Sequence, residues 1–308
     1  MKKIILSLVL LFIINSTFAQ SIPKVEKGSI TRIENFNAKN VSTRNIDIWL
    51  PKDYNKNEKY AVLYMHDGQM LFDSNITWNK KSWAIQDAIT KLIDENKIKQ
   101  VIVVGIWNGG ERRHSEYFPK KPFEQLSKEQ QEVVFNSVRK NNVSVFNNYA
   151  LNADNYLKFI VEELKPYIDQ NFSTKTDFKN TFIGGSSMGG LISMYAICEY
   201  PKVFGGAICM STHWPGIFEM ENNPIPDAFI NYLTTHLPKA KNHKMYFDCG
   251  DKTLDAFYPP IQNKVDELMQ KKGYGEKSWI TQYFPGQEHS EEAWKGRVQI
   301  PLEFMLGK

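Results

Sequence analysis

Apolar residues recur along this chain with two different periods. Residues 44–50 alternate apolar and polar positions, with Ile46, Ile48 and Leu50 on one side, and stop at Pro51. That pattern predicts an outer, half-exposed strand. Residues 60–65 and 101–106 are short, continuous apolar runs, as in strands covered on both faces. Between them Ile85, Ala88, Ile89, Leu92 and Ile93 follow the i, i+3, i+4, i+7, i+8 stripe of a helix. Leu157, Ile160, Val161, Leu164 and Ile168 make a second stripe, which Pro166 is expected to kink or end. Further strands are predicted at 180–183, 206–211, 244–249 and 279–284, with helices at 191–199 and 261–271 and one closing helix over 291–305. Strands alternating with helices predict an α/β fold of one domain, a mostly parallel sheet with helices on both faces.

Residues 119–148 interrupt this alternation. They are rich in Lys, Gln, Glu and Asn and carry only a weak helical stripe. An insertion of this kind emerges where ligands bind, at the carboxyl edge of the sheet, and is either a lid or a solvated loop. No repeat or low-complexity tract is present.

The N-terminus has the form of an export signal. Lys2 and Lys3 precede an apolar run from Ile4 to Ile14, and Thr17-Phe-Ala19 forms a small-residue cleavage site. The run is too short to span a membrane. Residues 1–19 are therefore read as a signal peptide and 20–308 as one domain, located in the periplasm or secreted. Of the net charge of +4 in 308 residues, Lys2 and Lys3 supply two, leaving 4 − 2 = +2 for the processed chain. Nothing in that balance suits nucleic acid, and no stable membrane insertion is expected after cleavage. Cys198, Cys209 and Cys249 are odd in number, widely spaced and set in apolar runs, so buried thiols are expected. A Cys209–Cys249 pairing is the alternative, since both lie on predicted strands.

Chemistry enters at residues 184–190, Gly-Gly-Ser-Ser-Met-Gly-Gly. This G-x-S-x-G motif lies between a predicted strand and a predicted helix, the setting of a nucleophile elbow, with Ser187 as nucleophile. The glycines are needed because a sharp strand-to-helix turn crowds its neighbours and leaves the hydroxyl raised above the sheet. A serine nucleophile needs an imidazole base, itself oriented by a carboxylate, in the order Ser, acid, His. Among the six histidines, His289 follows the last predicted strand and a Pro285-Gly286 turn, and so can reach back over Ser187. His213 is placed to line the pocket, and His236 and His243 are read as surface. The acid should lie after the strand at 244–249, where Asp251 and Asp255 both qualify, Asp255 being preferred for its place in the loop. Asp248 belongs to the strand. Oxyanion donors are expected at the backbone N–H groups of Met188 and Gln69, the latter beside Gly68 in the turn after residues 60–65.

These segments resemble the esterase D-type "putative esterase" family of α/β-hydrolases, which includes enterochelin, feruloyl and acetyl-xylan esterases and mycolyltransferases. Matching stretches are Trp49-Leu-Pro-Lys-Asp-Tyr54, Met65-His-Asp-Gly-Gln-Met-Leu-Phe-Asp73, Gly105-Ile-Trp-Asn108, Arg112-Arg-His-Ser-Glu-Tyr-Phe-Pro119, Glu163-Leu-Lys-Pro-Tyr-Ile168, the elbow, and Gly286-Gln-Glu-His-Ser-Glu-Glu-Ala-Trp294. They span residues 44–305. The resemblance implies an α/β-hydrolase fold, a nucleophile at Ser187, a base at His289 and oxyanion donors at Gln69 and Met188. The acid transfers least directly, because the family varies around this loop. The resemblance also places the stretch around Arg112, Arg113 and Glu116 near the site, where Arg113 would hold an anionic or catecholic group, ion pairing within the loop being the alternative. Trp107 and Trp214 are candidates for an aromatic wall, against a role in packing. The expectation is a cofactor-independent, metal-independent serine carboxylic ester hydrolase for small-molecule or oligosaccharide esters, with acyl carbohydrates such as feruloyl or acetyl esters foremost. A siderophore trilactone esterase, an acyltransferase on the same site and an inactive carbohydrate-binding protein are the alternatives.

Overall fold

The computed structural model describes residues 21–308, so the expected export signal lies outside the described residues. Eight strands form one sheet: β1 (Ser29–Phe36), β2 (Arg44–Leu50), β3 (Ala61–Met65), β4 (Val101–Ile106), β5 (Thr181–Ser186), β6 (Gly206–Met210), β7 (Lys244–Cys249) and β8 (Trp279–Tyr283), in the spatial order β1-β2-β4-β3-β5-β6-β7-β8. β2 is antiparallel to β1 and β4, and every pairing from β4 to β8 is parallel. The helices are α1 (Ile85–Asp94), α2 (Arg113–Tyr117), α3 (Lys120–Glu124), α4 (Lys128–Phe135), α5 (Ala153–Phe159), α6 (Lys165–Asn171), α7 (Met188–Glu199), α8 (Ile225–His236), α9 (Pro259–Lys271), α10 (Glu291–Arg297) and α11 (Gln299–Leu306).

Successive side chains of a strand point to opposite faces, and here both faces are covered. Val62, Tyr64, Ile102, Val104 and Ile183 join one core layer, while Leu63, Met65, Val101, Val103 and Phe182 join the other. That double burial is why these strands read as unbroken apolar runs.

The structure corrects three expectations and narrows a fourth. β2 is mostly buried and not the edge, because β1 pairs outside it. Of the kink or end expected at Pro166, the helix shows a local distortion and does not end. A π-helical turn at Ile160–Leu164 joins α5 to α6 just before Pro166, and that local distortion accommodates the proline without breaking the helix. The closing helix is two helices that meet at Val298, with Pro301 in the first turn of the second. His243 is buried, with its ring nitrogens on the carbonyls of Lys239 and Pro201.

The insertion at 119–148 is partly built into the fold. Ser127 and Gln130 cap α4 reciprocally, and Val134, Val145 and Phe146 enter the core. All three cysteines are buried free thiols. Cys209 pairs with Phe247, two residues before Cys249. That offset on neighbouring strands sets the Cα atoms about 8 Å apart, beyond the roughly 7 Å a disulfide spans. Among the described residues, no helix is long and apolar enough to cross a membrane.

Candidate active site

The carboxyl ends of the parallel strands converge on Ser187. β5 delivers it at φ 57° and ψ −123°, a strained left-handed turn, and α7 begins at the next residue. Gly185 and Gly189 permit this. A Cβ on Gly185 would lie 3.0 Å from the Gly189 backbone, so any other residue there would crowd the turn. The N–H of Ser187 bonds the carbonyl of Met210 at the end of β6, fixing the turn to the sheet. Met188, as the first residue of α7, presents an N–H that helix geometry leaves without an intrahelical acceptor.

The acid and the base come from the two strands beyond. Asp255 follows β7, is fully buried, and accepts from His289 Nδ1 at 2.6 Å through Oδ1. Its Oδ2 accepts from the Gly250 N–H at 2.6 Å and the Ser211 hydroxyl at 2.7 Å. Burial pushes its pKa upward, but the bonds from His289, Gly250 and Ser211 outweigh this and hold it below the ordinary aspartate value. Asp251 is occupied elsewhere, by the Gly286 N–H and the Tyr283 hydroxyl.

A buried network supports the carboxylate from behind. Ser211 Oγ accepts from Trp294 Nε1 at 2.9 Å and Arg297 Nη2 at 2.8 Å, so its own proton is directed to Asp255. Arg297 also pairs with Asp248 at 2.9 Å. Asp248 thus faces the core, as expected of a strand residue, with its pKa raised by burial against the pull of Arg297.

The loop after β3 forms the opposite wall. Asp67 takes a left-handed turn at φ 55°, and a single helical turn follows at Gly68–Met70. Gly68 passes so close to β4 that a Cβ would lie 2.4 Å from the Gly105 carbonyl carbon. Arg113 clamps the loop with a bidentate pair to Asp67, at 2.6 and 2.8 Å, and Asn108 adds a bond of 2.7 Å. Glu116 instead pairs with Arg44 in the interior.

Two cavities meet at Ser187. One, of about 310 Å³, is lined by Gln69, Trp78, Trp83, His289, Glu291 and Trp294. The other, of about 210 Å³, is lined by Met188, His213, Arg139, Asn147, Phe218 and Leu254. Arg113 borders both. The smaller one continues through Arg139, Phe218 and Leu254 into an open groove of about 980 Å³ that also involves Val138 and Phe257. A further cavity of about 580 Å³ sits at the other edge of the sheet, among Lys99, Lys179, Lys244 and Gly205, and shares no residue with these.

The structure therefore brings together Ser187, Met188, Gln69, Asp255, His289 and Arg113. It does not bring in the two proposed wall tryptophans. Trp214 is fully buried, bonded to Gln262 and packed on Phe247, and borders neither cavity beside Ser187. Trp107 donates to Asp47 under the Arg32 guanidinium and borders neither cavity beside Ser187. The aromatic wall is instead Trp78, 83 % exposed, with Trp83 and Trp294 in ring contact behind it. Sequence reasoning also missed Tyr258, whose hydroxyl neighbours the Ser187 side chain and bonds His213 Nδ1 at 2.7 Å. Its place, just beyond the loop that carries Asp255, was the one available signal.

The chain is similar to known esterases in sequence and to solved hydrolases in structure. A family model described as "Putative esterase" matches residues 41–298. An endo-1,4-β-xylanase/feruloyl esterase of Xylanibacter ruminicola is 25 % identical over 287 residues, covering 88 % of this chain. The chain spans only 30 % of that relative's length. Among solved structures, an IroE-like serine hydrolase from Shewanella oneidensis aligns with a TM-score of 0.65 at 17 % identity, over 90 % of this chain and 79 % of its own. A ferulic acid esterase from Anaeromyces mucronatus aligns at 0.57 and 18 % identity, over 93 % and 94 %. At such identities the structures establish a shared α/β-hydrolase fold.

Proposed function

Because the chain belongs to the "Putative esterase" family, we propose that it is a carboxylic ester hydrolase working through a serine acyl-enzyme. Ser187 attacks the ester carbonyl, and His289 takes its proton and returns it to the departing alcohol. Asp255 holds the imidazole in the tautomer that leaves Nε2 free to accept. The N–H groups of Gln69 and Met188 receive the oxyanion. The observation that carries this reading is the 2.6 Å bond between His289 and a buried Asp255, with His289 and the strained Ser187 lining one cavity.

For the substrate, we favour acyl esters of carbohydrates, of feruloyl or acetyl type. The feruloyl esterase relative supports this, as does an exposed Trp78 of the kind on which a sugar ring can stack. An export signal at 1–19 would place the enzyme where such polymers occur. Residues 119–148 act as a partial cover, since Arg139 and Asn147 line the cavity beside Ser187. The test is a panel of acetyl, feruloyl and long-chain esters with a catecholate trilactone, run on the wild type and on Ser187→Ala. Turnover of feruloyl or acetyl esters by the wild type, reduced to a trace in Ser187→Ala, is the expected result. Near-wild-type turnover in Ser187→Ala would remove the proposal.

A further inference from the structure

His213 lies just beyond β6 with 1 % of its surface exposed, yet it borders the 210 Å³ cavity beside Ser187. Its Nδ1 is bonded to the Tyr258 hydroxyl at 2.7 Å, whereas its Nε2 is buried without a hydrogen-bond partner. The Ile217 carbonyl acts on the ring electrostatically but lies outside hydrogen-bond geometry. Burial, with the Arg113 guanidinium nearby, holds the pKa of the ring well below the ordinary histidine value and keeps it neutral at physiological pH. A buried ring nitrogen left unpaired is destabilising, so a position of this kind in a cavity wall calls for a partner.

The chemistry of ester cleavage decides which half of the substrate meets it. His289 must return the proton to the alcohol oxygen, so the alcohol occupies the cavity that His289 lines, beside Trp78, Trp83 and Trp294. The acyl group then extends the other way, past Met188 toward His213, Phe218 and Leu254. The cavity accommodates a compact group, bounded by the guanidinium groups of Arg113 and Arg139. Arg139 bonds the Val145 carbonyl and stacks on Phe218, so its remaining donors also favour an oxygen-bearing ligand.

We propose that His213 determines specificity for the acyl half, its Nε2 hydrogen-bonding an oxygen substituent, foremost a hydroxyl, on a compact acyl group. A hydroxyl can both donate and accept, so it satisfies either tautomer of the ring. The assignment rests on the ester-hydrolase reading above. A site built around such a bond discriminates against the analogue lacking it, because the analogue leaves the nitrogen unpaired.

The experiment compares kcat/KM for methyl 4-hydroxycinnamate and methyl cinnamate, which share one alcohol and differ by one hydroxyl. The wild type should prefer the hydroxylated ester by about tenfold or more. His213→Asn keeps an amide at the Nδ1 position for Tyr258 but withdraws Nε2, and should bring the ratio close to one. His213→Gln restores a polar atom near the Nε2 position and should recover most of the preference. A wild-type ratio near one overturns the proposal whatever the variants do, and so does a ratio unchanged in His213→Asn. Absence of wild-type turnover on every ester would overturn the hydrolase reading instead.

Discussion

Replacing Asp255 by Asn changes one atom's hydrogen-bonding role and almost no volume, so its consequence follows from the three donors around the carboxylate. His289 Nδ1–H points at Oδ1, and the Gly250 N–H and Ser211 hydroxyl point at Oδ2. The amide has one acceptor oxygen and one NH2. Turned so that the NH2 faces Gly250, it opposes a backbone donor that cannot rotate, at about 1–3 kcal/mol for a buried clash of this kind. Turned the other way, the NH2 faces His289 and forces Nδ1 to accept. The ring proton then moves to Nε2, which can no longer receive the proton of Ser187. The second arrangement costs less, and the enzyme is held in the unproductive tautomer. We expect kcat to fall by about 10³–10⁴, equivalent to roughly 4–5.5 kcal/mol. Asp251→Asn, which touches only Gly286 and Tyr283, should change kcat by no more than about threefold. Stability supplies a second readout. The folded pKa of Asp255 is depressed, so its contribution is present above about pH 4 and lost as pH falls through the lower folded value. The Tm gap between wild type and Asp255→Asn should therefore narrow on acidification below that point. Aryl acetate hydrolysis from pH 6 to 9, with circular dichroism as the fold control, measures the first effect. A loss of less than tenfold, or a larger loss in Asp251→Asn, would refute the reasoning.

Ser187→Ala should retain the fold and lose nearly all turnover, with a residual rate still about 10³ above water from the oxyanion donors and binding, measured by stopped assays at high enzyme concentration. Arg297→Met strands Asp248 in the interior, and urea unfolding should show a loss of about 3–5 kcal/mol that widens as pH rises through the carboxylate range. Arg139→Ala, which leaves Val134, Val145 and Phe146 of the 119–148 segment in the core, should spare small aryl acetates but lower kcat/KM for an ester with a large acyl group by about tenfold, or about 1.4 kcal/mol. Equal effects on both substrates would count against a cover.

The sequence revealed the elements whose period or punctuation was intact. The sheet strands from β2 to β8 and the elbow are of this kind, since buried parallel strands and a glycine-flanked serine carry local signals. β1 was hidden because its register shifts between Ile33 and Phe36, which breaks the two-residue alternation. α8 was hidden because Pro224 and Pro226 suggest a loop, although proline is tolerated where a helix begins. In the candidate site, the residues named by chain order fell together, whereas those named by residue type did not. Trp214 is as aromatic as Trp78, and only the packing of Phe247 and Gln262 against it separates core from wall. Likewise the place of His213 after β6 put it near the pocket, but its contact with Tyr258 was not legible, because that contact joins two different strand-end loops.

The three buried thiols give the protein a built-in clock. Burial raises the pKa of each, that of Cys249 to about 12, so in the folded state almost none is present as the reactive thiolate. An alkylating reagent should consequently modify them only as fast as the surrounding structure opens. They sit in different parts of the molecule: Cys198 in α7, Cys209 in the middle of the sheet, and Cys249 at the end of β7, next to Gly250. Labelling rates resolved by peptide mass would thus time the opening of the elbow helix, the sheet and the acid loop separately, without introducing a single foreign probe.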